Sequence, residues 1–141
     1  MKIVDELEFS SEIVEVPLFA SLVRAGAAQF ADDYVDTFFS LDASLVKHSK
    51  GVFCVKVSGD SMVNAGIFEG DILIVDTQEE PSNGKIIIAS VENGVTVKRL
   101  MIKDTEMFLL PANPKYDPIR IDHEMDFRIV GVVTHVIKKA L

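Results

Sequence analysis

Ile86-Ile87-Ile88-Ala89-Ser90-Val91-Glu92-Asn93-Gly94-Val95-Thr96-Val97-Lys98-Arg99-Leu100 reads as a β-hairpin, and it sets the chain as a mostly β protein. Two runs rich in β-branched residues flank Asn93-Gly94, the preferred centre of a two-residue type I′ turn. That turn predicts Glu92 opposite Val95 and Lys98 opposite Ala89. Strand alternation then puts Thr96, Lys98 and Leu100 on one face with Ile87, Ala89 and Val91, and turns Arg99 to the other with Val95 and Val97. Lys98 is therefore a cation among apolar neighbours. Desolvation lowers the pKa of such an amine, although a lysine stem can equally cover apolar surface while its charge reaches water.

Other strands surround the hairpin. Val52-Phe53-Cys54-Val55-Lys56-Val57 is an apolar strand, and Ile72-Leu73-Ile74-Val75 is a buried one bounded by Asp71 and Asp76. Met107-Phe108-Leu109-Leu110 ends at Pro111, where a proline-punctuated loop runs to Pro118. Phe127 to Ile137 is a long strand. One short helix is predicted from Asp42 to His48, with Asp42 as N-cap. The predicted architecture is a multi-stranded β domain with short helical segments and an N-terminal arm. Residues 1–30 form the arm and junction, in which Pro17 interrupts the extended-looking Ile13-Val14-Glu15-Val16, and residues 31–141 form the catalytic and partner-binding domain.

The first apolar strand runs into Ser58-Gly59-Asp60-Ser61-Met62, whose small and acidic residues can bend sharply and leave backbone N–H groups free. Ser61 is thus set on a turn at a strand's end. The place suits a nucleophile, with the N–H groups of Ser61 and Met62 available to a developing oxyanion, and it equally suits a turn or helix-cap serine. Asp60 is expected to brace the turn by bonding to backbone. A Ser–His–Asp triad finds no local pattern joining His48, His123 or His135 to Ser61, so lysine is the better base. The acids Asp32-Asp33, Glu79-Glu80 and Glu69 with Asp71 read as solvated or capping groups. No Gly-rich phosphate loop or metal-ligand spacing is present, and no cofactor or metal is expected.

Taken together, Ser58 to Met62, Gly70-Asp71-Ile72-Leu73-Ile74-Val75-Asp76, Asn93-Gly94 and Val97-Lys98-Arg99-Leu100 resemble the self-cleaving Ser–Lys proteins of the LexA and UmuD group, over about residues 50–138. The resemblance implies that Ser61 is the nucleophile of a serine endopeptidase and that neutral Lys98 is its general base. In that group the scissile bond follows a small residue and precedes glycine, as Ala25-Gly26 does here; Ala65-Gly66, four residues beyond Ser61, is too close to loop back in extended form. A LexA-type repressor carries a helix-turn-helix domain before its cleavage site. Here 25 residues without a basic recognition helix precede Gly26, so the UmuD branch is the expectation and a LexA-like repressor fragment the alternative. That branch implies an SOS-response role: cleavage stimulated by a RecA filament on single-stranded DNA, and a shortened homodimer joined to a UmuC-type polymerase for error-prone synthesis. A noncatalytic module that regulates a polymerase through a sheet edge is the reading from another class.

Composition sets outer bounds. The chain has 141 residues, 48% hydrophobic, enough for one domain with a core. Its net charge is −8, and residues 1–25 carry five acids and two bases, which argues against direct nucleic-acid binding. Its one cysteine, Cys54, lies in an apolar strand and reads as a buried structural thiol. No apolar run is long enough to span a bilayer, as a membrane-anchored signal peptidase would need, and the acidic N-terminus does not resemble a signal peptide. The expected location is cytoplasmic.

Overall fold

The computed structural model describes residues 12–19, 35–48 and 50–140. Nine strands make one mixed sheet: β1 (Ile13–Phe19), β2 (Val35–Asp42), β3 (Val52–Lys56), β4 (Ile72–Asp76), β5 (Ile86–Val91), β6 (Gly94–Lys103), β7 (Glu106–Leu110), β8 (Ile119–Ile121) and β9 (Phe127–Ile137). Their order is β2-β1-β3-β4-β9-β5-β6-β7-β8. Every pairing is antiparallel except β1 with β3. No helix among the described residues is long and apolar enough to cross a membrane.

The apolar run of β4 is continuous because both faces are covered: Leu73, Ile74 and Val75 are at most 1% exposed. Three clusters share the core. Phe19, Phe53, Val55, Met62, Ile67, Leu73, Val75 and Ile88 form one. Val16, Leu18, Leu41, Cys54 and Ile74 belong to a second, and Ile87, Ala89, Leu100, Leu109 and Val132 to a third. Cys54 is fully buried, which pushes its thiol up to about 11, as a structural cysteine requires.

Four expectations need correction. The predicted turn centre at Asn93-Gly94 moves back by one residue, because Val91 pairs with Gly94 and leaves Glu92-Asn93 in the turn, with Glu92 at φ 52°. Lys98 therefore faces Ile87, and Ala89 faces Thr96. Pairing on the other edge of β5 accounts for this. Val91 pairs with Phe127 of β9 and the Glu92 N–H donates to the Asp126 carbonyl at 2.7 Å, so the strand is held through Val91. The pairing moves by two residues, an even number, so the predicted faces survive.

Pro17 does not interrupt its strand. It pairs with Phe38 inside β1, and the contact of β1 with β3 begins only at Leu18, so its missing N–H falls where the second ladder starts. The predicted helix shrinks to a 3₁₀ turn, Ala43–Leu45, because Ser40, Leu41 and Asp42 are spent in β2. Asp42 is the N-cap, accepting from the Ser44 N–H at 2.9 Å. Asp60 braces its turn differently from the expectation, as the site geometry shows. In addition, β2 and β8 were unpredicted; both are paired on one side only, at the ends of the sheet.

β9 is the seam between the two halves of the sheet. Its register shifts against β4 at Ile74/Val75 and against β5 at Ile88/Ala89, leaving Thr134 and Val130 as extra residues. Gly131 lies between them. A Cβ there would stand 2.8 Å from Val75 Cγ1 and 3.0 Å from the Asp76 carbonyl oxygen, so the close approach of β9 to β4 requires glycine.

Candidate active site

Ser61 sits on the loop between β3 and β4, and the loop is tied at its base and anchored in its middle. At the base, the Val57 N–H donates to the Asp71 carbonyl at 2.8 Å and the Gly70 N–H to the Val57 carbonyl at 2.9 Å. Asp71 closes the return turn by accepting the Phe68 N–H at 2.8 Å, and it pairs with Lys138, whose ammonium also lies 4.7 Å from the Phe68 ring centroid. Burial pushes the Asp71 carboxyl up, but the bonds from Lys138 and the Phe68 N–H outweigh it and hold the group below its ordinary value. In the middle, Met62 is 3% and Ile67 1% exposed. Met62 thus roots the residue beside Ser61 in the core.

A second loop, after β7, holds the turn from outside. The Ala112 N–H donates to the Ser61 carbonyl and the Asn64 N–H to the Ala112 carbonyl, both at 2.8 Å. Asn113 Nδ2 donates to the Asp60 carbonyl at 2.9 Å, and the Tyr116 hydroxyl donates to the Asp60 carboxylate, which raises the phenol's pKa. The Asp60 side chain is therefore engaged by a tyrosine, while its carbonyl takes the backbone-bracing role. Asn113 and Tyr116 carry no local signal in sequence, because the segment reads only as proline-punctuated loop.

The hairpin brings Lys98 to the same place. Lys98 is 7% exposed, with Nζ 3.1 Å from Ser61 Oγ, 2.5 Å from Thr96 Oγ1 and 3.1 Å from the Val97 carbonyl oxygen. Its pKa is lowered by desolvation. A neutral amine has two N–H groups and one lone pair. Val97 O and Thr96 Oγ1 can take the two protons, leaving the lone pair for the Ser61 hydroxyl. Thr96, two residues from Lys98 on the same face, was missed in sequence because threonine is an ordinary strand residue.

The other candidates fall elsewhere. Ala25 and Gly26 lie outside the described residues. Ala65-Gly66 is folded into a 3₁₀ turn, with Gly66 at φ 80°, and is not extended. Among the described residues, neither the Ser61 nor the Met62 N–H donates a hydrogen bond. His48 Nδ1 is 2.6 Å from Asp76 Oδ2, and His135 Nδ1 is 3.0 Å from Thr134 Oγ1, so both bond away from Ser61. His48, Asp76 and Glu79 bring possible metal-ligand atoms within 4.8 Å of one another. Their protein partners already satisfy them: Glu79 holds Lys47 at 3.4 Å and Lys85 at 3.2 Å, and Asp76 also accepts the Gln78 N–H.

Comparison with known proteins gives a consistent match. Residues 17–134 match the model of the family described as Peptidase S24-like. The LexA repressor of Clostridium perfringens strain 13 is 33% identical over 131 residues, 93% of this chain and 63% of the relative. That of Syntrophomonas wolfei is 36% identical over 135 residues, 96% of this chain and 64% of the relative. LexA repressor 2 of Pseudomonas syringae pv. tomato is 35% identical over 128 residues, 91% and 62%. The chain spans less than two thirds of the length of these three relatives.

Proposed function

The chain belongs to the Peptidase S24-like family, a family of autoproteolytic serine peptidases, and from that premise we propose that it cuts itself between Ala25 and Gly26 with Ser61 as nucleophile and Lys98 as general base. The observation that carries the reading is the 3.1 Å contact of Ser61 Oγ with a buried amine whose pKa is lowered. Neutral Lys98 takes the Ser61 proton as Oγ attacks the Ala25 carbonyl. The tetrahedral oxyanion is met by the N–H groups of Ser61 and Met62. Lys98 then returns the proton to the Gly26 amine as the peptide bond breaks, leaving an acyl-enzyme that water hydrolyses with the same lysine as base.

The relatives' name, LexA repressor, favours a biological reading in which this chain is the self-cleaving part of a DNA-damage regulator, switched by a RecA-type filament on single-stranded DNA and acting as a homodimer. The net charge of −8 favours a second reading, a UmuD-like accessory whose shortened dimer joins a UmuC-type polymerase, since such a chain need not itself hold DNA. Intact mass tests the common step. Incubation at alkaline pH, or with RecA, single-stranded DNA and a nucleotide, should yield a fragment beginning at Gly26, and a new N-terminus at Gly66 would sink the site assignment. Binding to a UmuC-type polymerase after cleavage separates the second reading from the first, whose measure is loss of operator binding on cleavage.

A further inference from the structure

The Ser61 loop borders a groove of about 490 Å³ lined by Gly59, Asp60, Val63, Phe68 and Glu69. Its character is divided. Val63 and the half-exposed ring of Phe68 give it an apolar wall, while Asp60 and Glu69 supply two carboxylates. Asp60 immediately precedes Ser61, so the groove adjoins the turn that carries the proposed nucleophile. Asp60 receives the Tyr116 hydroxyl on Oδ1 and Glu69 the Gly59 N–H on Oε1 at 3.3 Å, which leaves a second oxygen on each. Among the described residues neither is paired with a lysine or arginine.

Lys138 lies 4.7 Å from the Phe68 ring centroid but is paired with Asp71, so an apolar wall beside two carboxylates that hold no cation of their own fits a side chain that has an apolar stem and a cationic head, arginine above all. The sequence supplies one at the position that counts. Arg24 directly precedes the Ala25-Gly26 bond, and residues 1–25 hold just one other cation, Lys2. The geometry points to this groove as the subsite for Arg24, with the guanidinium at Asp60 and Glu69 and the stem along Phe68, so that the next carbonyl, that of Ala25, is presented to Ser61. The inference rests on the proposed self-cleavage and adds the side chain that selects the bond. Ala65-Gly66 is preceded by Asn64 and lacks this anchor.

A charge swap in the full chain tests it, with cleavage at alkaline pH followed by intact mass. Arg24→Glu and Glu69→Arg should each slow cleavage about tenfold, equal to about 1.4 kcal/mol of barrier. The double variant should recover most of the rate, and Lys2→Glu should match the parent. Raising the salt from about 0.1 to 1 M, which shortens the screening length from about 10 to 3 Å, should slow the parent and spare Arg24→Glu. Parental rate in Arg24→Glu, or losses that add with no recovery in the double variant, overturns the subsite. Ser61→Ala, run alongside, separates the two levels: inert Ser61→Ala with a failed swap removes only the subsite, whereas cleavage by Ser61→Ala removes the serine reading.

Discussion

Lys98 Nζ stands 3.1 Å from Ser61 Oγ although 37 residues separate the two in sequence. Ser61 arrives on a loop rooted by Met62 and Ile67, and Lys98 on a strand in the middle of a hairpin. Each is held by backbone and packing contacts of its own element, apart from the contact between the two side chains. The contact is therefore preorganised, and the acid–base properties of the lysine decide when it can act.

The first prediction is a rising pH–rate profile. Spontaneous cleavage should be slow while Lys98 is an ammonium and should increase with pH through a folded pKa that burial has lowered from 10.5. Stability carries the linked sign. Between the folded and unfolded pKa values the unfolded chain binds more protons at this residue, so its penalty on folding is full below the folded pKa and vanishes as pH rises through the unfolded one. Initial rates by intact mass across the alkaline range check this, and a flat profile would dismiss Lys98 as the titrating base.

Substitutions should separate chemistry from folding. Lys98→Ala should slow cleavage by about 10²–10⁴, the usual contribution of a positioned general base, and Ser61→Ala should abolish it, with both proteins folded by circular dichroism. Arg99→Ala is the control. Arg99 projects from the opposite side of β6 and donates to the Gly84 carbonyl at 2.7 Å, so most of the cleavage rate should remain. A loss in Arg99→Ala equal to that in Lys98→Ala would defeat the strand-face argument.

The loop after β7 should matter through the turn it holds. Asn113→Ala removes the bond to the Asp60 carbonyl, at a cost of about 0.5–1.5 kcal/mol in stability, and lets the Ser61 turn shift relative to Lys98. Cleavage should then fall by more than the loss of folded protein explains. Thermal melts together with rates measured well below the melting temperature would show it, and an unchanged rate per folded molecule would mean that the Asn113 bond does not position the turn.

How much of this was legible in sequence depends on the range of the signal. Residues next to each other in a strand declare themselves by alternation, so the buried face of Lys98 could be read from Thr96, Lys98 and Leu100 without any tertiary information. The register could not. Asn93-Gly94 is a strong local turn signal, but pairing of β5 with β9 through Val91 and Phe127 moved the turn to Glu92-Asn93. Pro17 misled for a related reason, since a proline is excluded from a ladder only where its N–H is needed, and that depends on neighbours distant in sequence. Asn113 and Tyr116 were invisible because they contact Asp60 across more than fifty residues.

Gly131→Ala should destabilise the sheet at its seam. The new methyl would press on Val75 Cγ1 and on the Asp76 backbone, which is held in β4 and cannot yield as a flexible side chain could. Overpacking of this kind costs about 1–3 kcal/mol. Denaturant titration should show a lower midpoint with an unchanged slope, and a midpoint equal to the parent's would mean that β9 can move away from β4.

The last prediction concerns Asp71 at the base of the Ser61 loop. Its carboxylate accepts the Phe68 N–H and pairs with Lys138, and together these bonds hold its pKa below 3.8 despite burial. For an acid with a depressed folded pKa, the stabilisation is fully present above the unfolded value and is lost as pH falls through the folded one. Asp71→Asn can keep an acceptor for Phe68 but loses the charge that holds Lys138. At neutral pH the variant should be less stable by about 1.5–3 kcal/mol, the worth of a hydrogen bond to a charged group. As the pH is lowered past the folded pKa of Asp71 the two proteins should converge, because the parent carboxyl is then neutral as well. Melting curves for both proteins from neutral to strongly acidic pH measure the difference directly. A gap that stays constant down to the acid end would place the stabilisation in packing and leave the Asp71–Lys138 charge pair with no part in holding the loop.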